Sequence, residues 1–444
     1  MTPSRPPSPS VADAPGSPDP ARASGPFVAL LLVFAALGLF GVVASTLVPA
    51  MRTIFAVGLT LAVMVQWLPL VGGGLCAVPM ARLLEALGAV RLMQAGLAAS
   101  ALVCLALAEL VRHAGPGTGG FAVILLGILA LAVGATALQV AINPLALALG
   151  PARTAPARLT LAQGCNSLGV LAGVHLSARL SLASAGASPA AGSLAAAGVS
   201  RAYFACALVV VVVLVWVALA FRKTGRGPAA DPAEAGAGTQ APVHGGLRAA
   251  LRCGWALSGA FAIALYVGAE GVVGALLVSF LHQPEVLDLP LGEAGIYLAN
   301  VFWGGAAISR LGGAWLLRGV PAPVVLGVAA GAAALASLLA CGGAGWGWGA
   351  ASGWAALGLG LCNGVMFPLI FALTLERSSA PRAATSGLLV LAISGGAIAS
   401  ALAGYIGEHA GLAAAFAVPL AAYAVIALFA LVAARGRRAG GAPA

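Results

Sequence analysis

Charge is what this sequence has least of. Only 8% of its 444 residues are Asp, Glu, Lys or Arg, and only 12 are acidic. A soluble chain of this size needs far more polar cover, so a soluble globular domain is excluded. The seven cysteines include no C-x-x-C pair and lie in or beside apolar runs. That argues against redox or zinc motifs and leaves small apolar fillers. No nucleophile–base pair, metal-ligand cluster or phosphate-cradling loop is present, so no catalytic residue, metal or cofactor is expected. The net charge of +10 does not point to nucleic acid, because the arginines are scattered singly between apolar runs. A short apolar core followed by a cleavage site, the mark of a signal peptide, is also lacking.

What the chain does have is long apolar runs. It is 61% hydrophobic with a mean hydropathy of +1.04. Twelve runs reach the roughly 20 residues that a bilayer requires. They fall at 27–49, 57–80, 92–112, 121–149, 159–183, 201–221, 249–281, 293–317, 321–342, 347–375, 384–406 and 411–434. The expected fold is therefore an all-α membrane protein of 12 transmembrane helices in two six-helix bundles. The bundles cover 27–221 and 249–434, joined by a Gly/Pro/Ala-rich cytoplasmic linker at 222–248. Residues 1–26, rich in Pro, Ser and Ala, read as a disordered cytoplasmic tail, and 435–444 as a second tail.

Of the 22 Lys and Arg, only Arg52, Arg112, Arg179 and Arg201 fall on the outer side when both termini are cytoplasmic. The remainder, Arg310 among them, fall on the inner side, as the positive-inside rule requires of a cell inner-membrane protein.

Polar residues inside the spans carry the functional signal. Gln139 and Asn143 are four apart on one helix, and Gln163 and Asn166 three apart on the next. Pro144 removes a backbone donor beside them. Tyr266 and Glu270 form another i, i+4 pair, Asn300 and Trp303 lie in the eighth span, and Asn363 precedes Pro368. An amide donates and accepts at once, which matches sugar hydroxyls. Aromatic faces at Trp67, Tyr266, Trp303 and Phe367 suit a sugar ring. The competing use of such amides is to hold helices together. Glu270 is the only acid deep in a span, and an intramembrane carboxylate is a functional candidate by default. His175 reads as an interfacial histidine.

The runs LQVAINPLALALGP and RLTLAQGCNSLG resemble the fucose–galactose–glucose branch of the major facilitator superfamily. LYVGAEGVVGALLVSFL is similar to that branch's seventh helix. FWGGAAISRLGGAWLL, GLCNGVMFPLIFALTLE and SGLLVLAISGGAIASALAGYIGE are similar to its eighth, tenth and eleventh. The resemblance implies a hexose transporter that works by alternating access. It implies a substrate site built from Gln139, Asn143, Gln163, Asn166, Tyr266, Glu270, Asn300 and Asn363. ARLLEALGAVR resembles the superfamily's inter-helix signature, with Arg82, Glu85 and Arg91 as gating residues and Gly88 at a positive-φ turn. Arg310 is grouped with them.

Where the fucose carrier has two acids, the aligned positions here are Ser45 and Gln139. Neither titrates across physiological pH, so the family's proton carriers are absent and Glu270 is the remaining candidate. Glutamine at the second position matches glucose/galactose members. The expected partners are a sugar, a proton if transport is coupled, and the lipid bilayer, with the protein a monomer. An exporter of another small polar or drug-like compound is the alternative within the class, and a receptor or scaffold the alternative outside it.

Overall fold

A computed structural model describes residues 20–46, 54–57, 59–115, 117–181, 191–222, 243–343, 345 and 347–439. Residues 1–19 of the tail expected at 1–26, most of the linker and the extreme C-terminus lie outside the described residues. So do the side chains of Ser45, Thr46 and Trp67.

The first bundle is α1 (Pro20–Thr46), α2 (Leu59–Leu87), α3 (Ala89–His113), α4 (Thr118–Ala148), α5 (Ala155–Ser181) and α6 (Ala191–Phe221). A short helix, α7 (Val243–Arg252), precedes the second bundle. That bundle holds α8 (Gly254–Leu281), the broken pair α9 (Leu291–Tyr297) and α10 (Gly304–Leu316), and α11 (Ala322–Gly342). It continues with two more broken pairs, α12 (Gly349–Asn363) with α13 (Met366–Arg377), and α14 (Arg382–Ala392) with α15 (Gly396–Ala410). The chain ends on α16 (Leu412–Ala415) and α17 (Ala417–Ala439).

Among the described residues, ten stretches are long and apolar enough to cross a membrane. The two spans outside that set are α5 and the α9–α10 pair, and both carry polar residues of the candidate site. The outer surface is apolar, with Leu105, Phe204, Trp216, Ile308 and Leu428 all exposed. Only a lipid environment suits such a belt.

Several boundaries differ from those expected. Helix α1 already runs from Pro20. The seventh span begins at Gly254 rather than at 249, because Cys253 is extended (φ −84°, ψ 113°) and separates it from α7. The last helix continues to Ala439, past the expected start of the tail. Spans eight, ten and eleven are interrupted, by a π turn at Leu298–Trp303, by Gly364–Val365 and by a 3₁₀ turn at Ile393–Gly395.

Small residues set the close crossings. A Cβ on Gly38 of α1 would stand 2.0 Å from the Asn166 carbonyl oxygen, and one on Gly169 of α5 would stand 1.9 Å from that of Ala35. Backbones this close require glycine, the usual device where helices associate in lipid. Gly88 takes φ 78° between α2 and α3, as its place in the turn demands. The α4–α5 turn is held by Arg158, whose guanidinium donates to the carbonyls of Ala146, Leu147, Gly150 and Pro151. These are carbonyls left free where α4 ends.

Arg82, Arg91, Arg153, Arg318 and Arg382 lie at one end of the molecule, termed here the basic end. Extensive packing between the bundles among the described residues is confined to helix halves leading to that end. There α5 packs on α10 and α13, and α14 on α2 and α4. Contacts such as Gly164 with Leu311, Gly313 with Thr160, and Gly387 with Ala81 mark this seam.

Candidate substrate site between the bundles

Two prolines build the site. Pro144 in α4 has no N–H for the carbonyl of Val140, and Pro368 has none for that of Gly364. A buried carbonyl needs another donor. Val140 receives one from Ser386 Oγ of the other bundle at 3.1 Å. Gly364 receives one from Arg310 Nε at 2.9 Å. The carbonyls that the prolines leave unserved thus become the places where side chains cross between helices.

Arg310 is the hub. Besides Gly364 it donates through Nη1 to Ser167 Oγ on α5. Its Nη2 lies 3.9 Å from Glu270 Oε1, and both side chains are mostly buried, at 12% and 17% exposure. Glu270 Oε1 accepts the Tyr266 hydroxyl at 2.8 Å, so the i, i+4 spacing read from the sequence is realised. The Ser167 hydroxyl donates in turn to the Gln163 carbonyl at 3.2 Å. Gln163 Nε2 donates to Asn143 Oδ1 at 3.2 Å. The result is one polar path, Asn143–Gln163–Ser167–Arg310–Glu270–Tyr266, that spans both bundles.

The other expected site residues divide. Gln139 is half-buried one turn from Asn143, with no side-chain hydrogen bond among the described residues, so its amide is free for a ligand. Asn166 instead donates to the Phe34 carbonyl at 3.0 Å and ties α5 to α1. Asn363 is fully buried, and among the described residues neither its amide oxygen nor its nitrogen is hydrogen-bonded. It lies beside the Tyr423 hydroxyl, which is also buried without an aligned partner. Asn300 sits exposed in the π turn. Tyr266 packs on Phe367 with ring centroids 6.3 Å apart, and Trp303 packs edge-on to Phe302. His175 is exposed and bonded to the Leu171 carbonyl.

The gating group separates as well. Arg82, Glu85 and Arg91 are exposed at the basic end, and no ion pair joins them among the described residues. Helix α7 lies over this turn, placing Gly246 between Glu85 and Ala384. Arg310 is not with them, nor among the loop cations where the charge count put it. It is held inside the span by Gly364, Ser167 and Glu270. Ser167 and Tyr423 were absent from the sequence reading.

Two helical bundles that meet at one end, around a mostly buried polar path, define a secondary transporter of the major facilitator fold. No family model matches the chain. A glucose/galactose transporter of Brucella abortus is 30% identical over 403 residues, covering 91% of this chain and 92% of that protein. The fold is similar to that of the E. coli fucose:proton symporter FucP. A FucP structure in the outward conformation matches with TM-score 0.78 at 23% identity, over 93% of this chain and 99% of that one. The proton:xylose symporter XylE matches with TM-score 0.70 at 13% identity, over 92% and 95%. The chain belongs to the glucose/galactose transporter family of the major facilitator superfamily. It is a multi-pass membrane transporter, not an enzyme.

Proposed function

We propose that the protein moves a hexose of glucose, galactose or fucose type across the cell inner membrane by alternating access. The observation that carries this reading is the placing of the amides. Gln139 and Gln163 remain partly accessible at the bundle interface, and Gln163 is already aligned by Asn143. Paired donors and acceptors of this kind suit hydroxyl groups and give little to an apolar drug. The Brucella relative's name, glucose/galactose transporter, supports the hexose class.

The basic end faces the cytoplasm in this reading, with both termini and the linker 222–248 on the same side. Moving Arg310 from the loops into the span leaves the charge asymmetry strong. The seam at the basic end is then the closed inner gate, and the site opens outward. One bundle rocks against the other to expose it inward. Gln139, Asn143 and Gln163 bind the sugar from the first bundle, and Tyr266 and Glu270 from the second. The working unit is a monomer.

Coupling rests on Glu270. It carries a proton with the sugar, or the protein equilibrates sugar without one. Hexose uptake into proteoliposomes, with and without a proton gradient, tests both halves of the reading.

A further inference from the structure

Arg310 divides its donors between the two bundles. Nε serves the Gly364 carbonyl and Nη1 serves Ser167 across the interface, while Nη2 stops 3.9 Å from Glu270. A guanidinium in direct contact with a carboxylate stands at roughly 2.7–2.9 Å. The ion pair is therefore incomplete in the state closed at the basic end. Glu270 Oε1 takes its short bond from Tyr266 instead. The groups facing Glu270 are Tyr266 on its own helix, Arg310 on α10 and Tyr423 on α17.

Ser167 sits at the seam, among the contacts of α5 with α10, and its hydroxyl is the only one of Arg310's three partners that belongs to the first bundle. Rocking that parts α5 from α10 must break this bond. Gly364 and Glu270, both in the second bundle, stay within reach.

We propose that Ser167 and Arg310 are positioning residues of the transport cycle, exchanging partners as the bundles move. Ser167 holds the guanidinium back from Glu270 while the basic end is closed. When that end opens, Nη1 is released and the guanidinium closes onto the carboxylate. The exchange makes the pairing of Glu270 depend on which side is open. It deepens the alternating-access reading of the same site and rests on it. Ser167 also donates to the Gln163 carbonyl, so a change at the amide site reaches Arg310 through one hydroxyl.

The test is a distance distribution in full-length protein in proteoliposomes. Fluorophores on bio-orthogonal amino acids would replace Ala152 of the first bundle and Arg318 of the second, both exposed at the basic end. Ser167→Ala should raise the ratio of long to short distances roughly tenfold, the equivalent of one charge-assisted hydrogen bond. Ser167→Thr, which keeps the hydroxyl, should restore the wild-type ratio. Glu270→Gln removes the partner that Arg310 gains on opening, and should move the ratio the other way. The double variant Ser167→Ala/Glu270→Gln should fall between the two singles. The proposal is overturned if Ser167→Ala matches wild type, if Ser167→Thr does not restore it, or if Glu270→Gln leaves the ratio unmoved. Hexose uptake by the same preparations is read separately. Wild-type protein that takes up no hexose would sink the substrate reading while the distances still judge the latch.

Discussion

Ser386 Oγ donates to the carbonyl of Val140 at 3.1 Å, across the seam between the two bundles. That carbonyl is free only because Pro144 lies one turn later and has no N–H to offer. A hydroxyl in one bundle therefore supplies the hydrogen bond that a helix in the other lacks. Ser386→Ala leaves a buried carbonyl unserved and should cost about 1–3 kcal/mol. The cost falls on the state closed at the basic end. A lower melting temperature in detergent, with faster protease cleavage at the basic-end loops, is the expected outcome. An unchanged melt would mean that water or a helix distortion serves Val140 instead.

Gln163 should contact the sugar. Its Nε2 is held by Asn143, which fixes the amide and leaves its oxygen free to accept from a hydroxyl. Gln163→Ala removes that acceptor and strands Asn143, costing about 1–3 kcal/mol of binding. Calorimetric titration with glucose or galactose should show roughly ten- to a hundredfold weaker affinity. Full affinity in a folded variant would assign Gln163 to helix packing alone.

The crossing of α1 and α5 has no room for a side chain. At Gly38 and Gly169 a methyl group would meet backbone oxygen at 2.0 and 1.9 Å. Backbone cannot swing aside, so either glycine→Ala change should cost about 1–3 kcal/mol or more. Gly358→Ala is the control, since nothing lies within 4 Å of its Cβ position. In mid-helix it should gain up to about 1 kcal/mol. Thermal unfolding of the three variants in one detergent checks the ranking.

Much of this was legible in the sequence, and the exceptions share a cause. Apolar run length gave the spans, Gly88 the turn, and Pro144 a lost backbone donor inside α4, which stays continuous. The interruptions of spans eight, ten and eleven were not read from the sequence. The pairs Gln139/Asn143 and Tyr266/Glu270 follow from helical spacing and recur in the structure. Arg310 was read as a loop or gating cation, although it falls within the eighth apolar run. An arginine inside a span requires a partner, and Glu270 was the only deep acid available, so the signal was present. Asn166 was placed with Gln163 on helical spacing and on the family resemblance. Three residues of helix leave an angular offset between them, enough for one amide to face α4 and the other to reach Phe34 of α1. Ser167 and Ser386 carry no sequence signal, because their partners are set by how the bundles cross. The π turn at Leu298–Trp303 is likewise a product of packing.

Energy coupling follows from the same geometry. Ser45 and Gln139 cannot titrate, so proton-driven accumulation requires Glu270. Glu270→Gln imitates a permanently protonated carboxyl and keeps the acceptor for Tyr266. Counterflow exchange should persist in the variant while accumulation driven by a pH step disappears. Accumulation that survives the substitution would point away from Glu270 and towards His175 or another cation.

The central claim is hexose transport through the amide-lined interface. Radiolabelled glucose or galactose uptake into proteoliposomes, compared for wild type and Gln139→Leu, tests it most directly. Gln139 is half-buried with no hydrogen bond among the described residues, so its loss should abolish uptake while the melting temperature stays near that of wild type. Wild-type vesicles that take up neither sugar would contradict the account. So would a Gln139→Leu protein that aggregates while its soluble fraction transports normally.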